Sequence, residues 1–235
     1  MALRLLPFRQ YDEQDVINLF KWDDDGLGLN GSPSESKSDS GVLVKVKSSD
    51  LSKDPIEYLG SHSLLGSSGY PHVARNGYPH VPLSVEASDG GDGAIGITLN
   101  QTLTHDENGE NLLRYPQKKA ELFAVTSGEA VPIASKGVFT FDESAVTQVN
   151  ATNGAADNGS AVSGSPADSA WEVTGGKNVY AVGVADGKIS LSSDGSGNVV
   201  GKVLGTGKRT AQTNTDQFAG DAGESAHYVV VKLDL

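Results

Sequence analysis

From residue 83 to the C-terminus the apolar runs are short, all but the ten-residue run at 94–103 eight residues or fewer, and turn signals separate them. The runs are 83–86, 94–103, 120–127, 130–134, 137–141, 179–184, 188–191, 199–205 and 227–233. Between them stand Asp106-Glu107-Asn108-Gly109, Ser127-Gly128, Asp186-Gly187, Asp194-Gly195 and Ala222-Gly223. In such signals Gly supplies positive φ and Asn or Asp bonds to its own backbone. An amphipathic helix needs roughly ten to twelve residues of 3.6-residue periodicity, whereas a strand is complete in about four to eight. The punctuation therefore predicts an all-β fold.

Composition agrees. The chain carries 29 glycines in 235 residues, and only 37% of residues are hydrophobic and 6% aromatic, so its core must be padded with Val, Ile, Leu and Ala. The formal net charge of −12 repels phosphates, and the densest basic spots, Lys118-Lys119 and Lys208-Arg209, are too small to reverse that. Direct nucleic-acid binding is not expected. Without cysteine there is no disulfide framework, thiolate metal site or cysteine nucleophile. The apolar start from Met1 to Phe8 is interrupted by Arg4 and Pro7 and is too short for a secretory core. No stretch reaches the roughly 18 apolar residues of a membrane-spanning helix, so no membrane role is expected.

Three regions differ in texture. Residues 1–60 begin with Leu3, Leu5, Leu6 and Phe8 around Pro7, an apolar head too short to make its own core. Asp12 is placed to cap a short helical turn with Asp15 three residues on, and Val16 to Trp22 reads as a strand. A Gly-, Ser- and Asp-rich loop follows from Asp23 to Ser40, then a strand from Val42 to Lys47. Residues 61–83 repeat Gly-Tyr-Pro-His-Val at Gly69 and Gly77, where the prolines forbid a helix. That repeat suits either an ordered loop or a pair of aromatic contacts, Tyr70 and Tyr78. Residues 84–235 hold the remaining strands, with an Ala-, Gly-, Ser- and Asn-rich exposed excursion at 150–169.

Motifs that carry chemistry fail on context. Gly91-Asp92-Gly93-Ala94-Ile95-Gly96 fits the dinucleotide fingerprint, which must open a helix, but Ile97-Thr98-Leu99 continues it as a strand. Asp23-Asp24-Asp25-Gly26 lacks the calcium-loop Glu, because Ser32 stands there and Lys21 falls at the first position. His62, His72, His80, His105 and His227 form no helical metal pair, and Ser225 lacks the glycine of a nucleophile elbow two residues later. No catalytic residue, metal ligand or cofactor is assigned.

A resemblance adds what the residues alone do not. Gly96-Ile97-Thr98-Leu99, Asp106-Glu107-Asn108-Gly109-Glu110, Tyr115-Pro116 and Lys119-Ala120-Glu121 lead into Ser127-Gly128-Glu129-Ala130-Val131-Pro132-Ile133-Ala134 and Gly137-Val138-Phe139. This string resembles bacteriophage virion proteins related to head decoration, or cement, proteins. Gly187-Lys188-Ile189, Val200-Gly201-Lys202-Val203-Leu204 and Ala222-Gly223-Glu224 before Val229-Val230-Val231-Lys232-Leu233 resemble the C-terminal strands of that family. The start, Arg9-Gln10-Tyr11 through Asp15 to Phe20, is similar to that of some marine phage virion proteins. The resemblance covers residues 84–235, and the excursion at 150–169 departs from it.

The resemblance implies a small β-barrel or β-tulip-like domain with an extended N-terminal arm and long loops. It also implies a homotrimer on the outer surface of a phage capsid, made in the host cytoplasm and bracing the major capsid protein. On that basis Leu3, Leu5, Leu6, Phe8, Val16, Ile17, Leu19, Phe20 and Trp22 are expected to bind the capsid. Their apolar side chains have no sequence-local partner, and 16–22 offers a strand to a neighbouring sheet. Two other readings are a neck, tail or fibre component, and a carbohydrate-binding module stacking sugars on Trp22, Tyr70, Tyr78 or Trp171.

Overall fold

The computed structural model describes residues 4–22, 39–47, 83–90, 93–103, 105–106, 108–126, 129–149, 179–192, 195, 197–209 and 226–235. The Tyr-Pro-His-Val repeat, the excursion at 150–169 and Leu3 lie outside them. The fold is all-β. Its larger sheet contains β1 (Leu5–Gln10), β10 (Lys136–Asp142), β11 (Val146–Val149), β12 (Tyr180–Gly183), β13 (Ile189–Ser192), β14 (Val199–Arg209) and β15 (Ala226–Asp234). They run in the order β1-β10-β15-β14-β12-β13-β11. Most neighbours are antiparallel, and β11 lies parallel to β13.

Alternation explains which face of this sheet is dry. In β15, Val229, Val231 and Leu233 are buried while Lys232 and Asp234 are exposed. The same parity buries Phe139 and Phe141 on β10 and Val203 on β14. These side chains pack with Leu5, Ala181, Ile189 and Leu191 in the largest core cluster.

The second sheet is built of shorter pieces: β2 (Val16–Ile17), β3 (Lys21–Trp22), β4 (Leu43–Val46), β5 (Ser84–Ala87), β6 (Gly96–Thr98) and β9 (Ile133–Ala134). Their order is β2-β9-β6-β4-β5-β3. Laid flat, the two ends would stand about 24 Å apart at the usual strand spacing of about 4.8 Å. Yet Ile17 and Lys21 are only four residues apart, a span of at most about 14 Å. The sheet must therefore curl until both its ends meet one short segment. Gly96 permits the curl, since a Cβ there would stand 2.4 Å from the Ala134 carbonyl oxygen and 2.6 Å from Ile133 Cγ2.

Both faces of the curled sheet are packed. Leu43, Ile97 and Ala134 point out into the core shared with the larger sheet, whereas Trp22, Val44, Val85 and Ile133 fill a second core. Among the described residues neither sheet closes into a barrel: β1 and β11 are the end strands of the larger sheet, and β2 and β3 remain separate strands.

A small third unit pairs β7 (Gln101–Leu103) in parallel with β8 (Ala124–Thr126) beside helix α1 (Pro116–Glu121). Leu103, Leu112 and Ala124 form its core. The sequence reading of 120–127 as one strand is corrected here, because Pro116 starts a helix at N1 that runs to Glu121. The run 94–103 is likewise two strands, broken at Leu99 and Asn100. The cap at Asp12 is present, its Oδ1 accepting from Gln14 N at 3.0 Å before a 3-10 turn. The same device recurs where Asp142 Oδ2 accepts from Ser144 N at 3.1 Å.

Candidate interaction surface

The eight described residues of the nine expected to bind a capsid are divided by the fold. Leu5 is buried in the main core, Leu6 is buried beside it in β1, and Phe20 and Trp22 lie in the core of the curled sheet. Val16 and Ile17 are half-buried. Phe8 and Leu19 are exposed, at 65% and 47%.

The reading of these residues as a projecting arm is corrected for the described part. The reason is pairing at long range: Leu5 faces Phe141, Val16 and Ile17 face Ala134 and Ile133, and Trp22 faces Val85. Backbone groups once read as free for a neighbour are already used. Val131 N donates to the Phe20 carbonyl at 2.8 Å, and Lys21 N donates to the Leu83 carbonyl at 2.9 Å. Burial of Trp22 also removes it from the proposed sugar-stacking set.

A buried cation fastens the start of the chain. Arg4 is 1% exposed, and its Nη1 donates to the Asp186 carbonyl at 3.1 Å while Nε stands 4.0 Å from Asp39. Burial lowers the Arg4 pKa from its ordinary value, opposed by Asp39 and Asp186. Burial also pushes the Asp39 carboxyl up to about 6, against the pull of Arg4. Farther along β1, Arg9 Nη1 donates to the Leu99 carbonyl at 3.1 Å, joining the edge strand to the β6–β7 corner.

Four exposed large side chains were missed by sequence reasoning: Tyr11, Tyr115, Phe123 and Leu204. Tyr11 stacks on Phe139 with centroids 5.8 Å apart. Phe123 is 67% exposed with φ 48, a left-handed conformation at the end of α1 that usually falls to glycine. Its backbone is held from outside the helix, since Gln101 Nε2 donates to the Leu122 carbonyl at 2.7 Å and Gln101 N to the Phe123 carbonyl at 3.3 Å. Two ion pairs brace the same unit. Lys118 pairs with the buried Asp106, and Lys119 Nζ meets both oxygens of Glu129 at 3.0 and 2.9 Å. The lysine bond lowers the Asp106 pKa, helped by the Glu110 and Asn108 amides that donate to it. No sequence signal reveals that a Phe takes a position suited to glycine.

The described residues hold no group of three or more His, Cys, Asp or Glu side chains placed to bind a metal ion. None of their helices is long and apolar enough to cross a membrane. His227 Nδ1 stands 3.3 Å from Glu143, whose Oε2 also accepts from the His227 amide at 3.0 Å, so this pair fastens β15 to the turn after β10. Among the described residues the exposed large apolar and aromatic side chains are those of Phe8, Tyr11, Leu19, Tyr115, Phe123 and Leu204. Compared with protein families, curated proteins and solved structures, the chain has no match.

Proposed function

We propose that this chain is a capsid decoration, or cement, protein that binds the outside of a bacteriophage head and braces the lattice of the major capsid protein. The observation that carries the reading is where the decoration-like segments fall. Gly137-Val138-Phe139, Val229 to Leu233 and Val200 to Leu204 lie on three neighbouring strands, β10, β15 and β14. Segments more than sixty residues apart in sequence thus belong to one structural unit, as expected of a motif that describes a domain. In this reading the protein works as a homotrimer on the virion, without catalysis, direct nucleic-acid binding or a membrane. A thin core favours burial of further apolar surface between subunits. The curl of the second sheet around Trp22, Val44, Val85 and Ile133 supports a small barrel-like module within the domain.

Phe8 and Leu19 are the capsid-contact residues of the original nine, because their side chains remain exposed. The test mixes purified protein with heads that lack it and follows co-sedimentation and particle reconstruction. Saturable binding with density at three-fold positions is expected, and weakening by Phe8→Ser with Leu19→Ser. Protein that stays in the supernatant at micromolar concentration defeats the proposal.

A further inference from the structure

One row on the outer face of the larger sheet breaks the charge pattern of the molecule, beside the Lys136–Asp234 pair on that same face. Lys45 pairs with Glu86 and Asp89, Lys118 with Asp106, Lys119 with Glu129, and Lys136 with Asp234. Lys202 and Lys232 instead face each other across β14 and β15, both exposed. Like charges directly opposite on adjacent strands repel. In a chain with 30 acidic and 18 basic residues, this pair faces no carboxylate among the described residues on its own strands' cross-strand positions. The row continues to Val138 on β10 and Tyr180 on β12. Beside it, Val203 faces Val231 and Gly205 faces Val230, so Leu204 is the extra residue of a β-bulge. Leu204, two residues along β14 from Lys202, is 53% exposed. Bulges often re-aim a side chain at functional positions.

We infer that this face, centred on Lys202, Lys232 and Leu204, receives a protein segment presenting carboxylates beside an apolar side chain. The inference rests on the decoration reading, and the segment belongs to the capsid shell. Charge complementarity selects the occupant: two adjacent ammonium groups attract carboxylates, while Leu204 and Val138 supply apolar contact that a nucleic-acid backbone would not use. A second copy of this chain, which the trimer reading also brings onto the particle, is the competing occupant that the coupling experiment below distinguishes.

Lys202→Glu tests this directly. It puts a carboxylate opposite Lys232, which favours the strand pair, so the thermal midpoint should hold or rise. Affinity for heads that lack the protein should fall by about tenfold or more, and Lys202→Arg should retain it. Zero-length carbodiimide coupling on decorated heads should join Lys202 or Lys232 to an Asp or Glu of the shell protein. Wild-type protein that binds heads while Lys202→Glu binds equally well overturns this inference and leaves the decoration reading standing. Coupling only to another copy of this chain, or duplex DNA binding that Lys202→Glu abolishes, overturns it in favour of those partners. Wild-type protein that does not bind heads overturns both.

Discussion

The two sheets bury their side chains differently. β15 in the larger sheet is long and alternates, with Val229, Val231 and Leu233 in the core and Lys232 and Asp234 in water. In the curled sheet the strands are two to four residues long, and adjacent residues enter different cores, Leu43 on one side and Val44 on the other. A one-faced strand carries its register in its own alternation, because a one-residue slip would turn its apolar set to solvent. A two-faced fragment has no such mark. Its place is fixed by partners far along the chain, so the first residues are structural members of both sheets and not an appendage.

The most severe way to break this contrast is to delete residues 2–22. That removes β1, β2 and β3 with Leu5, Phe20 and Trp22, and the expected outcome is loss of the cooperative unfolding transition and of the near-ultraviolet dichroism. A truncated chain that still unfolds cooperatively would show the N-terminal strands to be dispensable. For this reason surface substitutions, and not truncation, are the proper probes of binding.

Single core truncations should be smaller but still large. Trp22→Ala empties the inside of the curl and should lower the unfolding free energy by roughly 3–5 kcal/mol, measured by denaturant titration. Gly96→Ala tests the curl itself. Its methyl must displace backbone at Ala134, so a loss of about 1–3 kcal/mol is expected. An unchanged midpoint would mean the sheet tolerates a wider bend.

The Arg4–Asp39 contact gives a pH signature to the point where β1 joins the molecule. Its folded pKa of about 6 lies above the ordinary 3.8, so the folded state holds the proton more tightly. The contribution of this group to stability is therefore greatest at low pH, declines as pH rises from about 4 to about 6, and is level above that. Carbon-detected NMR titration of the Asp39 carboxyl should give a midpoint near 6, and a midpoint near 4 would count against its burial. The smallest effect is expected on the same strand as Leu5. Phe8→Ser touches an exposed ring and should change stability by no more than about 0.5 kcal/mol while weakening attachment to heads.

Much of the larger sheet was legible. The strand runs at 199–205 and 227–233, the Asp12 cap and the turn at Asp106 to Gly109 each act through neighbours within a few residues. Asp106 Oδ1, for instance, accepts from the Asn108 and Glu110 amides at 2.8 and 2.7 Å. The strand at Val146–Val149 was missed because it follows β10 after only a three-residue 3-10 turn and pairs in parallel with β13, a contact no local pattern announces. The candidate surface was legible in part. Phe8 and Leu19 were named, whereas Lys202 and Leu204 were not. Nothing local could show that Lys202 would stand opposite Lys232, thirty residues later.

The sequence by itself determined the all-β class, the turns and the places of the long strands, since these depend on backbone preferences and turn signals over short distances. The tertiary structure decided which apolar residues were available to a partner. Leu5 and Phe8 are three residues apart in one strand, yet one meets Phe139 and Phe141 in the core and the other meets water. Alternation puts residues three apart on opposite faces of a strand, and β10, by bringing Phe141 opposite Leu5, decides which of those faces is covered. Apolar character is a property of the residue. Exposure is a property of what the rest of the chain places beside it.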